Sequence, residues 1–236
     1  MRQVALALVS RAGDGPALMP GPPPGPVLAV APHPDDETIG CGGALARHAA
    51  NGDKVTVLVA SSGGRTAGGR GDVEGVREAE CAAACAELGV GAPEFLHLPD
   101  GALAEHVAAL AAAIGDRARA AGVVTLYAPS VLDPHRDHRA TNAAIAAAAL
   151  DGVEIYGCEV WSPGPADVLL DVSAVWHRKE RALRCYATAL ETVDYVRAAR
   201  GLAAYRSAAG GLGGAGFAEA FLRLSAADHA AASPSP

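Results

Sequence analysis

Aromatic side chains make up only 4% of the 236 residues, and only two of the 19 basic residues, Lys54 and Lys179, are lysines. A core must therefore be filled mainly by Ala, Val and Leu, with helices packed closely on small side chains. No apolar run approaches the ~20 residues of a membrane-spanning helix, so no membrane span is expected. The opening segment MRQVALALVSRAG has too short an apolar run and no clean cleavage site for a secretory leader, and it reads as an edge strand. A basic surplus is missing as well: the formal net charge is -7, which gives no electrostatic footprint for nucleic acid or an anionic membrane. The five cysteines, Cys41, Cys81, Cys85, Cys158 and Cys185, are odd in number and never spaced as C-x-x-C. They are expected to be reduced and mostly buried, which favours the cytoplasm. Cys81 and Cys85, four apart on an expected helix, could share a metal, although free cysteine usually acts as a small hydrophobe.

Between residues 26 and 150 the chain alternates. Apolar β-rich runs, VLAVA, KVTVLVAS, EFLHL and VVTLYAP, are separated by Ala-rich stretches around 41–50, 74–88, 102–121 and 137–150 that read as helices. That rhythm predicts parallel strands joined by helical crossovers: an α/β fold with a Rossmann-like open, mostly parallel sheet flanked by helices. Gly52 and Gly89 fall where a left-handed residue closes a helix. PGPPPGP, residues 20–26, is an extended spacer. After 150 the rhythm changes. VEIYGCEVW and ADVLLDVS, linked by SPGP, predict a β-hairpin, AVWHRKERALRCYATAL one amphipathic helix, and AAGGLGGAGFAEAF a mobile loop before a short terminal helix. The whole, 1–236, is read as one domain: a core of about 26–150, an appended C-terminal hairpin and helices over 151–228, and a disordered tail over 229–236.

Two histidine-carboxylate clusters stand at strand exits. APHPDDETIGCGG supplies His33, Asp35, Asp36 and Glu37 directly after VLAVA, and DPHRDHRATN supplies His135, Asp137 and His138 after VVTLYAP. In open α/β sheets ligands bind at the carboxyl ends of strands, so the clusters are expected to meet across one crevice. His33 and Asp36, three apart, can converge on one point. Two neutral imidazoles and one carboxylate would leave a zinc ion an open fourth position for water, which is a catalytic arrangement for metal-assisted hydrolysis. Asp35 is the candidate general base. His135 is the candidate donor to a developing oxyanion, with Asp137 fixing its tautomer. Taken singly, each cluster could be an acidic helix start or a cap; together at successive strand ends they define a site.

These residues carry a family resemblance. A-x-H-P-D-D-E followed by G-G, with a later H-x-D-H-R-A (here HRDHRA), resembles the PIG-L/LmbE-like family of zinc-dependent N-acetylglucosaminyl deacetylases. VREAECAAACAELGV resembles that family's Arg-x-x-Glu helix, LHLPDGAL its strand ending in Asp-Gly, and GFAEAF its terminal segment. The resemblance implies His33, Asp36 and His138 as ligands of one divalent metal per chain, zinc with iron(II) as the alternative. It implies Asp35 as base and His135 as transition-state partner supported by Asp137. Arg77 and Asp100 would hold sugar hydroxyls, with Glu80 bracing Arg77. The implied substrate is a small-molecule amino-sugar glycoconjugate, and the sequence leaves the oligomeric state open, a homo-oligomer included. Two departures bear on substrate identity: Gly64 stands where the family often has an acid after the second strand, and Arg136 where it usually has proline.

Three readings follow. The chain hydrolyses an N-acyl, expected N-acetyl, amino sugar in a thiol or antibiotic pathway; it cleaves a non-sugar amide such as a thiol conjugate; or it binds metal and carbohydrate without catalysis. Retention of Asp35 argues against the last, since binding alone needs no base. A dinucleotide site at GCGGAL is disfavoured, because Leu45 stands where a third small residue is needed and no ribose-binding acid follows the second strand. His48, His97, His106, His177 and His229 have no ligand-like neighbours in the sequence. Trp161 is expected in the core, and Tyr195, like Trp161, lies where an aromatic ring could wall a sugar pocket.

Overall fold

The computed structural model of the protein describes residues 15–64 and 73–233; the edge strand expected in MRQVALALVSRAG lies outside them. In chain order the elements are β1 (Ala17–Met19), β2 (Val27–Ala31), α1 (Asp36–Asn51), β3 (Val55–Ser61), α2 (Val73–Leu88), β4 (Glu94–Leu98), α3 (Val107–Ala121), β5 (Thr125–Pro129) and α4 (Arg136–Ala147). There follow β6 (Glu154–Cys158), β7 (Val168–Asp171), α5 (Trp176–Arg184), α6 (Ala187–Leu190), α7 (Tyr195–Arg206), β8 (Ala218–Ser225) and α8 (Ala226–Ala232). Gly52 and Gly89 close α1 and α2 with φ of 80° and 82°, as their positions in the sequence suggest.

The strands form one sheet in the order β1-β7-β8-β6-β5-β2-β3-β4. Every neighbouring pair is parallel except those of β8, which runs antiparallel to both β6 and β7. Alternate residues of each inner strand feed opposite faces. Val27, Ala29, Ala31, Val57 and Val59 pack with α1, α2 and α5, whereas Leu28, Val30, Leu58 and Ala60 pack with α3 and α4. Burial on both faces explains why VLAVA is uniformly apolar. The chain leaves β2 toward β3 and β4, then returns through α3 to β5 on the other flank of β2. The crevice where strand order reverses therefore opens at the carboxyl ends of β2 and β5.

The C-terminal third departs from expectation. β6 and β7 do not pair as a hairpin; β8 lies between them, hydrogen-bonded to both. Turn residues between two strand-like runs suggest a local hairpin, but a partner some 50 residues further on takes both edges. AEAFLRLS, where a short terminal helix was expected after the glycine-rich loop, is that partner strand: burial and two-sided pairing override its weak local preference. The single helix expected over AVWHRKERALRCYATAL is broken at Cys185 and Tyr186, where the buried Tyr186 turns its hydroxyl onto Glu37. Order also extends beyond residue 229. α8 includes the buried His229, which donates to Asn142 Oδ1 at 2.8 Å, and Asn142 Nδ2 in turn donates to the carbonyls of Pro129 and His138.

The glycines of GCGG serve close packing. α1 kinks at Cys41 (φ -140°, ψ 18°), which frees the amides of Gly43 and Ala44 to donate to the two Glu219 oxygens at 2.7 Å each. A Cβ on Gly43 would lie 2.7 Å from Val172 Cγ1 and 2.8 Å from Glu219 Oε1, so only glycine lets the helix approach β7 and β8 this closely. Lys179 completes the joint, its Nζ donating to Glu219 Oε1 at 2.6 Å and to the Ile39 carbonyl at 2.8 Å.

Two measurements check this account. Lys179→Met leaves the Glu219 charge buried without its cation, and urea unfolding is expected to show a loss of about 3–5 kcal/mol. Burial lowers the pKa of His229 from 6.5 to about 4. As pH falls through that window the unfolded chain takes up a proton that the folded chain refuses, so stability is lost between about 6.5 and 4, by up to about 3 kcal/mol. Thermal unfolding of His229→Gln across this range is expected to show a flatter pH slope than the parent; an unchanged slope refutes the assignment.

Candidate metal centre

Both histidine-carboxylate clusters arrive at the β2/β5 crevice. On the β2 side, Asp35 caps α1, its carbonyl accepting from the amides of Thr38 and Ile39 at 3.0 and 2.8 Å. Its φ is 121°, a backbone state that costs a non-glycine residue about 1–3 kcal/mol and is found where a site requires it. The turn folds His33 back on Asp36: both the His33 amide and its Nδ1 reach Asp36 Oδ2, at 3.0 and 3.1 Å. On the β5 side, His135 caps α4 and His138 sits in its first turn. His138 Nε2 lies 3.3 Å from the same Asp36 Oδ2. One carboxylate oxygen thus faces an imidazole nitrogen from each loop.

This set fits a metal. Ligand atoms on a tetrahedral ion with bonds of about 2.0–2.1 Å stand roughly 3.4 Å apart, close to the 3.1 and 3.3 Å separations found here. His33, His135 and His138 can each offer a nitrogen within 4.8 Å of the others. The outer faces of the rings are backed by acids, as metal-binding imidazoles usually are. His33 Nε2 meets Asp137 Oδ2 at 3.1 Å and Asp100 Oδ1 at 3.2 Å. His138 Nδ1 is 3.1 Å from Asp133 Oδ2, near enough for an ion pair but out of line for a hydrogen bond.

The electrostatics agree. Burial would lower the His138 pKa, but the Asp36 and Asp133 carboxylates raise it to about 9. His33 behaves alike: burial opposes its charge, yet Asp100, Asp137 and Asp36 hold its pKa well above the usual value. Burial works against the Asp36 charge too, and the two imidazoles overcome it, keeping Asp36 well below the ordinary carboxylate range. A buried pocket with this acid excess favours positive charge, which a cation held between the two imidazoles would supply. Asp35 differs. Burial, then the charge of Asp36, pushes its pKa well up, only partly offset by Arg77, whose Nη2 lies 3.2 Å from Asp35 Oδ2.

Several expectations need correction. Asp137 does not hold His135 by its carboxylate, which is committed to His33 and to the amide of Gly101 at 2.7 Å. Its backbone amide does so instead, donating to His135 Nδ1 at 3.2 Å and leaving the ring proton on Nε2. His135 is held neutral first by burial and then by the charges of its histidine neighbours, which lower its pKa. Asp100 lines the cavity but turns Oδ1 to His33. Arg77 is buried and committed to Asp35 and to the carbonyls of Pro34 and Gly63. Its Nε has no hydrogen-bond partner among the described residues. Gly63, with φ of 68°, makes room for it, since a Cβ there would stand 2.7 Å from the guanidinium. Glu80 does not brace Arg77; it accepts from Thr188. Trp161 is 61% exposed, its ring 5.0 Å from that of His135 at the cavity wall.

Asp133 was not singled out by sequence reasoning, although it opens DPHRDH. It accepts from the amides of His135 and Trp161 at 2.9 and 3.0 Å, fixing the turn that leads into α4 and His138. Asp-Pro looks like simple turn chemistry, and only the fold puts its oxygen behind an imidazole.

A mostly parallel sheet with a histidine-carboxylate pocket at its switch point places the chain among α/β proteins with a candidate metal centre. The comparison with known families is specific: the family model described as GlcNAc-PI de-N-acetylase (PIG-L) matches residues 28–149, and the chain belongs to that family. A curated relative, the 1D-myo-inositol 2-acetamido-2-deoxy-alpha-D-glucopyranoside deacetylase of Mycolicibacterium vanbaalenii, is 34% identical over 221 residues, covering 77% of this chain and 76% of the relative. A conserved protein from Thermus thermophilus superposes with TM-score 0.70 at 29% identity, over 83% of this chain and 92% of its own. The 4-carboxy-2-hydroxymuconate hydratase of Pseudomonas putida has the same fold, with TM-score 0.69 at 24% identity over 84% of this chain and 95% of its own. The fold alone does not choose the reaction.

If Asp133 and Asp137 brace the ligands, Asp133→Asn and Asp137→Asn are each expected to weaken zinc affinity about 10- to 100-fold. Competition with a chromophoric chelator measures this, and affinity equal to the parent's refutes the bracing roles.

Proposed function

We infer that the protein is a metal-dependent hydrolase that removes an N-acyl group, acetyl in the named relative, from an amino sugar or glycoconjugate. One observation carries the reading: the shared Asp36 oxygen stands between two imidazoles, while the adjacent Asp35 stays out of that set and is held by Arg77. His33, Asp36 and His138 would hold the ion, zinc by the nitrogen and oxygen donor set, with iron(II) as the alternative. Such an ion supplies Lewis acidity, polarising an acyl carbonyl and acidifying a water.

The residues do the rest. Asp35, desolvated and raised in pKa, takes the proton of the attacking water as general base. Arg77 fixes the direction of the Asp35 carboxylate. His135, neutral with its proton on Nε2, donates to the oxygen of the tetrahedral intermediate. The proton held by Asp35 then passes to the departing amine. Arg77 and Asp100 border the side of the cavity where sugar hydroxyls would lie. The five unpaired cysteines fit a reducing cytoplasm, and no helix among the described residues is long and apolar enough to cross a membrane.

Acetate release from N-acetylglucosamine glycosides by zinc-loaded protein tests the reading. Asp35→Asn is expected to keep the parent's metal stoichiometry and lose about 10²- to 10⁴-fold in turnover, whereas Asp36→Ala is expected to lose the metal. Hydrolysis by Asp35→Asn at the parent rate would sink the base assignment.

A further inference from the structure

The cavity that contains the metal centre measures about 770 Å³, in the upper part of the roughly 300–1,000 Å³ range for drug-sized ligands. It holds more than one sugar ring and a two-carbon acyl group. Its two ends differ in chemistry, and sheet order separates them. Arg77, from α2, and Asp100, after β4, lie on the β3–β4 side of the crevice. On the opposite side the cavity runs over the ends of β6 and β8 and is walled by Ile39, Val160, Ala189, Ala199, Leu202 and Ala220. One wall is a face of α7: Ala198, Ala199, Leu202 and Ala203 recur at helical spacing and all border the cavity, with Tyr195 at the end of the stripe nearest Asp35 and Arg77. A stripe of that spacing ordinarily buries against a core; here part of it borders open space and its side chains are mostly too small to fill it.

The charged groups in this arm are spoken for. Lys179 is bound to Glu219 and the Ile39 carbonyl, Glu219 to two helix amides, and Glu159 to Arg206 and the amide of Gly164. An apolar group entering the arm would strand none of them.

We propose that this arm is an acyl subsite, and that the enzyme hydrolyses N-acyl amino sugars whose acyl chain is longer than acetyl and apolar. The proposal rests on the hydrolase reading above. With the amide carbon at the metal centre, the two substituents of the amide must point to opposite sides. The hydroxyl-rich sugar is left the polar side that Arg77 and Asp100 border, and the acyl chain the apolar arm. Water adds to the acyl carbon and the C–N bond breaks. The water oxygen stays on the acyl product as a carboxylate, and the amine leaves with the proton.

The test is a series of N-acetyl-, N-butanoyl-, N-hexanoyl- and N-octanoylglucosamine with the zinc-loaded full chain, alongside the octyl glycoside of N-acetylglucosamine. Burial of each methylene gives roughly a fourfold gain, so kcat/KM is expected to rise at least about tenfold from acetyl to hexanoyl. Ala199→Phe, which fills the arm, is expected to cut the hexanoyl-to-acetyl ratio by about tenfold or more. Leu202→Trp serves if that variant fails to fold. A flat or falling series with acetyl cleavage intact overturns the subsite and leaves the hydrolase reading standing. A gain confined to the octyl glycoside also overturns it, because the arm then takes the aglycone. Calorimetry with octanoate against acetate decides the arm even if no amide is cleaved: tighter octanoate binding that Ala199→Phe abolishes supports the subsite, and equal affinity refutes it.

Discussion

The structure turns on one carboxylate oxygen. Asp36 Oδ2 is approached by His33 from its own turn and by His138 from a loop more than 100 residues away. Taking three ionisable groups out of water is costly unless each is compensated, and here compensation is layered: Asp137 and Asp100 behind one ring, Asp133 behind the other. Nearly every feature around the crevice maintains that meeting. The reversal of strand order brings β2 and β5 side by side, the strained turn at Asp35 aims the first loop, and Asn142 ties the second loop to the strand end and to the C-terminal helix.

The region beyond residue 150 closes the site from one side. β8 enters the sheet between β6 and β7 and carries Glu219 to the kink of α1, so the helix that begins at the candidate metal centre is anchored by the last described strand. Tyr186 reaches Glu37 from the same region. The C-terminal third thus supplies both the joint that holds α1 and the apolar wall of the cavity. A mostly alanine wall follows from a chain poor in aromatics, and it leaves a wide channel where bulkier side chains would have filled the space.

Strand and helix positions between residues 26 and 150 were legible because each rests on local chemistry: uninterrupted apolar runs for strands buried twice, and left-handed glycines to end helices. The histidines and carboxylates gathered at the two strand exits were legible for the same reason. The partners of those residues were not. Asp137 could be seen beside His135 in sequence, but its carboxylate serves His33, because α4 points that side chain across the crevice. Trp161 looked like core and stands at the cavity wall, since nothing in its own segment says which side of the sheet end it faces.

What the sequence determined by itself was the alternating pattern, the sites of strand exit and the donor atoms placed there, all of which depend on interactions within a few residues. Tertiary structure alone decided that β8 would part β6 from β7, that Glu219 would cap a broken helix 175 or more residues upstream, and which acid would stand behind which imidazole. Those outcomes depend on contacts between segments far apart in the chain, and such contacts exist only once the sheet has set the distances between them.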